Sequence, residues 1–186
     1  MGSGGRRGSA GQLRIIGGRW RSRRLGFPAV AGLRPTTDRV RETLFNWLAP
    51  QLAGARCADL FAGSGALGLE ALSRGAAHCD FVDRSERASS AISKHLLALD
   101  ASDSASCHAM TAERFLERSA ASDDLVVVDP PFGADLLEPT CDLLDNGERL
   151  APGAMIYLET AAQSATVNVP RRWTLHREKV MGGVLS

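Results

Sequence analysis

Apolar positions along the chain change their spacing several times, and each change marks an element. In "LRIIGGRWRSRRL" (13–25) short apolar pairs alternate with arginines around Gly17-Gly18, which predicts a β-hairpin. "TTDRVRETLFNWL" (36–48) has helical spacing, with Val40, Leu44, Trp47 and Leu48 at i, i+4, i+7 and i+8. Thr36, Thr37 or Asp38 can cap that helix, Pro50 is expected to close it, and the stripe is expected to face the core.

Beyond residue 56 the pattern alternates. Apolar runs at 57–61, 79–83, 125–129 and 154–159, with a weaker one near 105–109, read as strands. Helical spacing fills 66–73, 85–99 and 112–119, and returns through Leu143-Leu144. Ser85 serves as a cap, with Ala88, Ile92, Leu96 and Leu99 facing inward. The tail around Gly182-Gly183 predicts a terminal hairpin. Strands alternating with helices imply an α/β domain with a mainly parallel sheet.

The 186 residues suffice for one core, and 44% hydrophobic with 23% charged residues is a globular composition. No apolar run approaches the roughly 18 residues of a membrane span. The opening "MGSGGRRGSAGQ" lacks a secretory signal's apolar stretch. The expected division is a disordered leader over 1–12, a basic β extension over 13–35 and a main domain over 36–186. Cys57, Cys79, Cys107 and Cys141 lack metal-site spacing and read as buried fillers in a reducing cytoplasm. The four histidines are isolated, so no metal is expected. Nothing demands a dimer, and a monomer is the default expectation.

Charge changes the picture. Residues 1–41 carry ten arginines and one acid, a net +9, while the remainder carries 12 basic and 20 acidic residues, a net −8. A basic arm on an acidic body points to a polyanionic partner. Arg19, Arg21, Arg23 and Arg24 are its candidate phosphate contacts.

Two strand ends carry candidate chemistry. Gly63-Ser64-Gly65-Ala66-Leu67-Gly68 follows the first strand of the main domain, where glycines permit a tight turn and close approach of a nucleotide-like ligand. The next strand ends at Asp83, a carboxylate placed to accept from ribose hydroxyls. That pattern fits a dehydrogenase or an S-adenosylmethionine (SAM) binder equally. Asp129-Pro130-Pro131-Phe132 separates them. Two prolines make a stiff exit that leaves the Asp129 carboxylate and the Pro130 carbonyl as fixed acceptors beside the Phe132 ring. Such a cradle suits a nucleobase amine: both N–H bonds are gripped, the lone pair is turned toward a methyl donor, and the ring stacks on a flipped base.

"LRPTTDRVRETLFNWL", "DLFAGSGALGLEALSRGA", "VVVDPPF" and "LHREKV" together resemble the bacterial 16S ribosomal RNA guanine-N2 methyltransferases of the RsmD type, from about Leu13 to Val180. The resemblance implies a Rossmann-like class I SAM-dependent methyltransferase fold with a seven-stranded, mainly parallel sheet, an antiparallel C-terminal hairpin and a small N-terminal β-hairpin. It also implies SAM as methyl donor and a guanine of 16S rRNA, within an assembling small subunit, as target. By position it puts cofactor contacts at Phe61, Gly63, Ser64, Gly65, Asp83, Arg84, Ala112 and Glu113, and the base at Asp129, Pro130 and Phe132. Arg34, Thr36 and Thr37 would close over the cofactor or meet RNA. Asp83 stands where the family often has Glu, and the family's chain continues past the position of Ser186, so a short edge strand is expected. Adenine-N6 methylation of DNA or RNA, glutamine methylation of protein, a dehydrogenase and a non-catalytic RNA-binding assembly factor remain open alternatives.

Overall fold

A computed structural model describes residues 11–27, 37–118, 122–131, 133–161, 167–181 and 184–185. The basic extension forms the expected hairpin, β1 (Gly11–Arg14) antiparallel to β2 (Arg24–Phe27), with Leu13 opposite Leu25. β1 starts two residues ahead of the boundary expected at residue 13. A 3₁₀ turn at Gly18–Trp20 joins the strands in place of a tight turn at Gly17-Gly18. Leu13, Ile15, Trp20, Leu25 and Phe27 are buried, whereas Arg14, Arg19, Arg21, Arg23 and Arg24 are exposed. The strand alternation therefore turns the apolar side into the body and the arginines outward.

Helix α1 (Asp38–Leu52) starts at Thr37, whose hydroxyl accepts from Val40 N at 3.4 Å. Pro50 lies inside this helix and does not end it. Asn46, whose carbonyl the proline ring displaces, and Pro50 itself are both exposed, so the lost bond faces water; Leu52, 2% exposed, packs the last turn onto the core. Val40, Leu44 and Leu48 are buried as expected, but Trp47 is half-buried.

The body alternates β3 (Arg56–Asp59), α2 (Ala66–Ser73), β4 (His78–Asp83), α3 (Glu86–Ala98), β5 (Ala105–Ala109), α4 (Ala112–Leu116), β6 (Asp123–Val128), α5 (Leu137–Asn146) and β7 (Leu150–Leu158). These five strands form one parallel sheet in the order β5-β4-β3-β6-β7. Val126, Val127 and Val128 in β6 are at most 3% exposed, as a strand covered on both faces requires. One face packs with residues of α1, α2, α3 and the hairpin, the other with residues of α4 and α5. Ser85 caps α3 through Ala88 N, and Ala88, Ile92, Leu96 and Leu99 point inward.

Three short strands, β8 (Thr160–Ala161), β9 (Val180–Met181) and β10 (Val184–Leu185), form a separate antiparallel sheet in the order β8-β10-β9. The expected terminal hairpin is present as β9 and β10. The expected single seven-stranded sheet is not: among the described residues five parallel strands stand apart from these three. With two residues each, β9 and β10 are too short to run along the nine of β7, and 167–179 contain no strand.

All four cysteines are free. Cys57 and Cys79 face each other across β3 and β4, and burial pushes the Cys57 thiol up to about 12. Such thiols act as apolar filler.

The hairpin is bolted to the body by Glu70 of α2. Its carboxylate has no exposure, yet accepts from Ile16 N (2.9 Å), Gly17 N (2.8 Å) and Arg74 Nε (2.8 Å), with Arg41 Nη1 3.6 Å away. Ser73 adds a second tie, donating to Gly17 O at 2.6 Å and accepting from Trp20 N at 3.0 Å. Replacing Glu70 by Ala leaves two backbone donors and Arg74 Nε without their acceptor and removes the countercharge beside the buried Arg41. Chemical denaturation of Glu70→Ala is expected to show a loss of about 3–5 kcal/mol, the range for breaking a buried ion pair.

Candidate active site at the strand ends

In a parallel sheet the ligand cleft opens where neighbouring strands are continued in opposite directions. Here that point lies between β3 and β6, since β4 and β5 extend one way and β7 the other. The glycine turn is pinned across it. Leu60 N donates to Val127 O of β6 at 3.0 Å, and Ala62 N donates to Val82 O of β4 at 2.9 Å.

The turn's glycines are required by geometry. Gly63 and Gly65 have φ of +53° and +79°, in the left-handed region. A Cβ on Gly65 would also lie 3.0 Å from Ile92 Cγ1. Gly68 sits against β4, where a Cβ would fall 2.3 Å from the Phe81 ring and 2.8 Å from Cys79 Sγ. Gly63 and Gly65 shape the loop, and Gly68 lets α2 approach the sheet. Ser64 is 8% exposed, while Phe61 and Gly63 are half-buried.

Asp83 holds the turn from the next strand. Its Oδ2 accepts from Gly63 N at 2.9 Å and its Oδ1 from Ser85 N at 2.7 Å. An ionised carboxylate has about four lone-pair positions, so two acceptor positions remain beyond these bonds. Arg84 beside it is exposed. Ala112 is buried and Glu113 exposed at the start of α4, which Thr111 caps through Arg114 N. Across the switch point, Asp129 is half-buried and Pro130 buried, directly after β6. Thus Phe61, Gly63, Ser64, Gly65, Asp83, Arg84, Ala112, Glu113, Asp129 and Pro130 all lie at or beyond the carboxyl ends of parallel strands. Phe132, Arg34 and Thr36 lie outside the described residues.

Three acids to which the sequence reading gave no role prove to matter here. Glu70 anchors the hairpin. Asp59, 2% exposed at the end of β3, accepts from Gly68 N at 3.1 Å and so supports α2 from below. Glu159, 5% exposed, follows β7 and accepts from Tyr157 Oη at 3.0 Å. A weaker signal for Glu159 exists: "FVD", "VVVD" and "YLE" each end an apolar run on an acid.

The arginine arm lies on the hairpin's outer face, with the Arg19 guanidinium 4.2 Å from the Trp20 ring centre. Not every early arginine is free for a partner. Arg14 pairs with Asp38 at 2.7 Å, and Arg41, 1% exposed, bonds Asp38 and Arg14 O. Thr37 is engaged as the α1 cap. A cavity of about 660 Å³ lies beside β7, walled by residues such as Trp47, Met155, Tyr157, Trp173 and Arg177; the glycine turn and Asp129 do not line it.

The fold and this strand-end cleft are of the class I, Rossmann-like methyltransferase type. The family model described as "Conserved hypothetical protein 95" matches residues 13–185. Ribosomal RNA small subunit methyltransferase D of Escherichia coli is 50% identical over 175 residues, 94% of this chain and 88% of that protein. The protein of the same name in Haemophilus influenzae is 41% identical over 92% of this chain and 90% of its own length. A solved structure of a putative methyltransferase from Escherichia coli superposes with a TM-score of 0.88 at 48% identity, covering 94% of this chain and 95% of the other. The chain belongs to this family, that of the ribosomal RNA small subunit methyltransferase D proteins.

Burial pushes the carboxyl of Asp59 up to about 7; the Gly68 N–H opposes the shift and the charge of Asp83 adds to it. The folded state therefore holds this proton more tightly than the unfolded chain. The contribution favours folding below about pH 4 and is lost as pH rises toward 7. Denaturant midpoints measured across that range should fall in the wild type. Asp59→Asn, which keeps an acceptor for Gly68 N without an ionisable group, should lack this component of up to about 4 kcal/mol.

Proposed function

We propose that the protein transfers a methyl group from SAM to the exocyclic N2 amine of a guanine in 16S rRNA of the small ribosomal subunit. The observation that supports this best is the meeting of the left-handed glycine turn with the Asp129-Pro130 exit at one switch point. The names of the family's relatives favour small-subunit ribosomal RNA as substrate.

SAM supplies a methyl group made electrophilic by its sulfonium sulfur. The left-handed turn at Gly63 and Gly65, with Phe61 and Ser64 beside it, would lie against the methionine and ribose portions. Asp83 accepts from the ribose hydroxyls with the lone pairs that Gly63 and Ser85 leave, and Arg84 lies next to it. Ala112 and Glu113 flank the adenine. On the other side of the switch point, the Asp129 carboxylate and Pro130 carbonyl each accept one N–H of the target amine, and Phe132 stacks on the base. An aromatic amine is a poor nucleophile because its lone pair is delocalised into the ring. Two fixed acceptors orient that lone pair and stabilise the positive charge that grows on nitrogen during attack. Arg19, Arg21, Arg23 and Arg24, with Arg34, Thr36 and Thr37, meet RNA phosphates and set the orientation of the substrate.

Methyl transfer from labelled SAM to unmodified small subunits, naked 16S RNA and duplex DNA, each digested to nucleosides, tests the assignment. Label in N2-methylguanosine is expected, and label confined to N6-methyladenine would overturn it. Asp129→Ala is expected to slow methylation by about 10²-fold or more while SAM affinity stays near that of the wild type. Joint replacement of Arg19, Arg21, Arg23 and Arg24 by Ala should weaken RNA binding and flatten its dependence on salt, by about 0.9 in log–log slope for each phosphate no longer neutralised. An unchanged slope would remove the arm from the interface.

A further inference from the structure

Guanine and adenine each present an exocyclic amine, so the acceptors at Asp129 and Pro130 suit both. The edges next to those amines differ. Guanine carries an N1–H donor beside its amine, and adenine carries an N1 lone pair. A site that selects guanine needs a further acceptor next to the one that grips the amine.

Glu159 occupies that place. β6 and β7 run in parallel register with Val126 opposite Ile156, Val127 opposite Tyr157 and Val128 opposite Leu158. Glu159 N then donates to Val128 O at 3.1 Å, carrying the register one step further and setting Glu159 beside Asp129. Val127 and Tyr157 belong to the core under α1, α2 and α3, whereas Val126, Val128, Ile156 and Leu158 belong to the opposite face. The two-residue alternation places Asp129 and Glu159 on the Tyr157 side, the face from which α2 and the glycine turn rise. Glu159 is 5% exposed, and Tyr157, 6% exposed, donates its hydroxyl to Oε2 at 3.0 Å, which fixes the carboxylate's orientation.

We infer that Glu159 is the specificity-determining residue that accepts the N1–H of the target guanine. The inference rests on the guanine assignment proposed above and names what enforces it. A ligand edge with two adjacent N–H donors matches two acceptors placed side by side by the register. An adenine edge would bring its N1 lone pair against the Glu159 carboxylate in a water-poor site, where an unmatched polar contact is costly. Sites built around such a hydrogen bond discriminate far more strongly than sites that merely fit a shape.

The test uses the full chain and small subunits reconstituted with guanosine or 2-aminopurine at the position the wild-type protein methylates. 2-Aminopurine keeps the exocyclic amine and replaces N1–H by a lone pair. Single-turnover rates with labelled SAM are measured for wild type, E159Q and Y157F, alongside SAM affinity. Wild type is expected to favour guanosine by about 10²-fold or more. E159Q, whose amide can donate to the lone pair, is expected to methylate 2-aminopurine about 10-fold faster than wild type and guanosine about 10²-fold slower, with unchanged SAM affinity. A gain on one substrate with a loss on the other cannot come from a weakened fold. An E159Q preference equal to that of wild type, or equal losses on both substrates, overturns the inference. If E159Q does not fold, Y157F decides, with a narrowed preference supporting the inference and an unchanged one overturning it. A wild-type reaction without N2-methylguanosine overturns the guanine assignment itself, and this is read before any variant is compared.

Discussion

Glu70 is a carboxyl that water never reaches, and with Ser73 and the hairpin's buried apolar side it holds the basic hairpin on the body. A buried carboxylate is tolerated when its lone pairs are filled, and here two backbone N–H groups and one arginine fill them, with a second arginine close by. The helix that presents Glu70 is the one that begins at Gly65. Eight residues at 1.5 Å each make it about 12 Å long. One short rigid element thus carries the ligand turn at its start and the hairpin's anchor near its end.

The cleft depends on a different constraint. A parallel sheet wound in two directions leaves its central strand ends uncovered, and this chain finishes β4, β6 and β7 with acids at that rim. The same residue type does different work according to what surrounds it. Asp83 ties backbone N–H groups of the turn and of the α3 entry. Asp59 lies one layer lower, where burial holds its proton on toward neutral pH. Asp129 and Glu159 stand side by side, with the stiff Pro130-Pro131 exit behind one and the Tyr157 hydroxyl on the other.

What the residues announce locally is what could be read from them. α2 spans 66–73 as its periodicity predicts, because left-handed glycines at 65 and 75 bracket it. Gly68 was legible as part of the turn motif, and the Phe81 ring shows that its place there is a packing requirement. Pro50 misled because a proline ends a helix only if the following turn has nothing to bury, and Leu52 had a core to enter. The separation of β8, β9 and β10 from the parallel sheet concerns long-range pairing, which no local period encodes. Glu70 resembled any helical glutamate, since its partners Ile16 and Gly17 lie more than fifty residues away. Glu159 was half-legible: its position at the end of an apolar run was plain, but its neighbour across the ladder was not.

The distance along the chain between the hairpin and its anchor also orders events during biosynthesis. Ile16, Gly17 and Trp20 are translated first, yet their acceptors at Glu70 and Ser73 follow 53 or more residues later. At roughly 5–20 residues per second, the arginine-rich segment spends several seconds as nascent polypeptide before its dock has been made. A two-stranded hairpin is at best marginal alone in water. The arm therefore gains its shape from a helix synthesised after it.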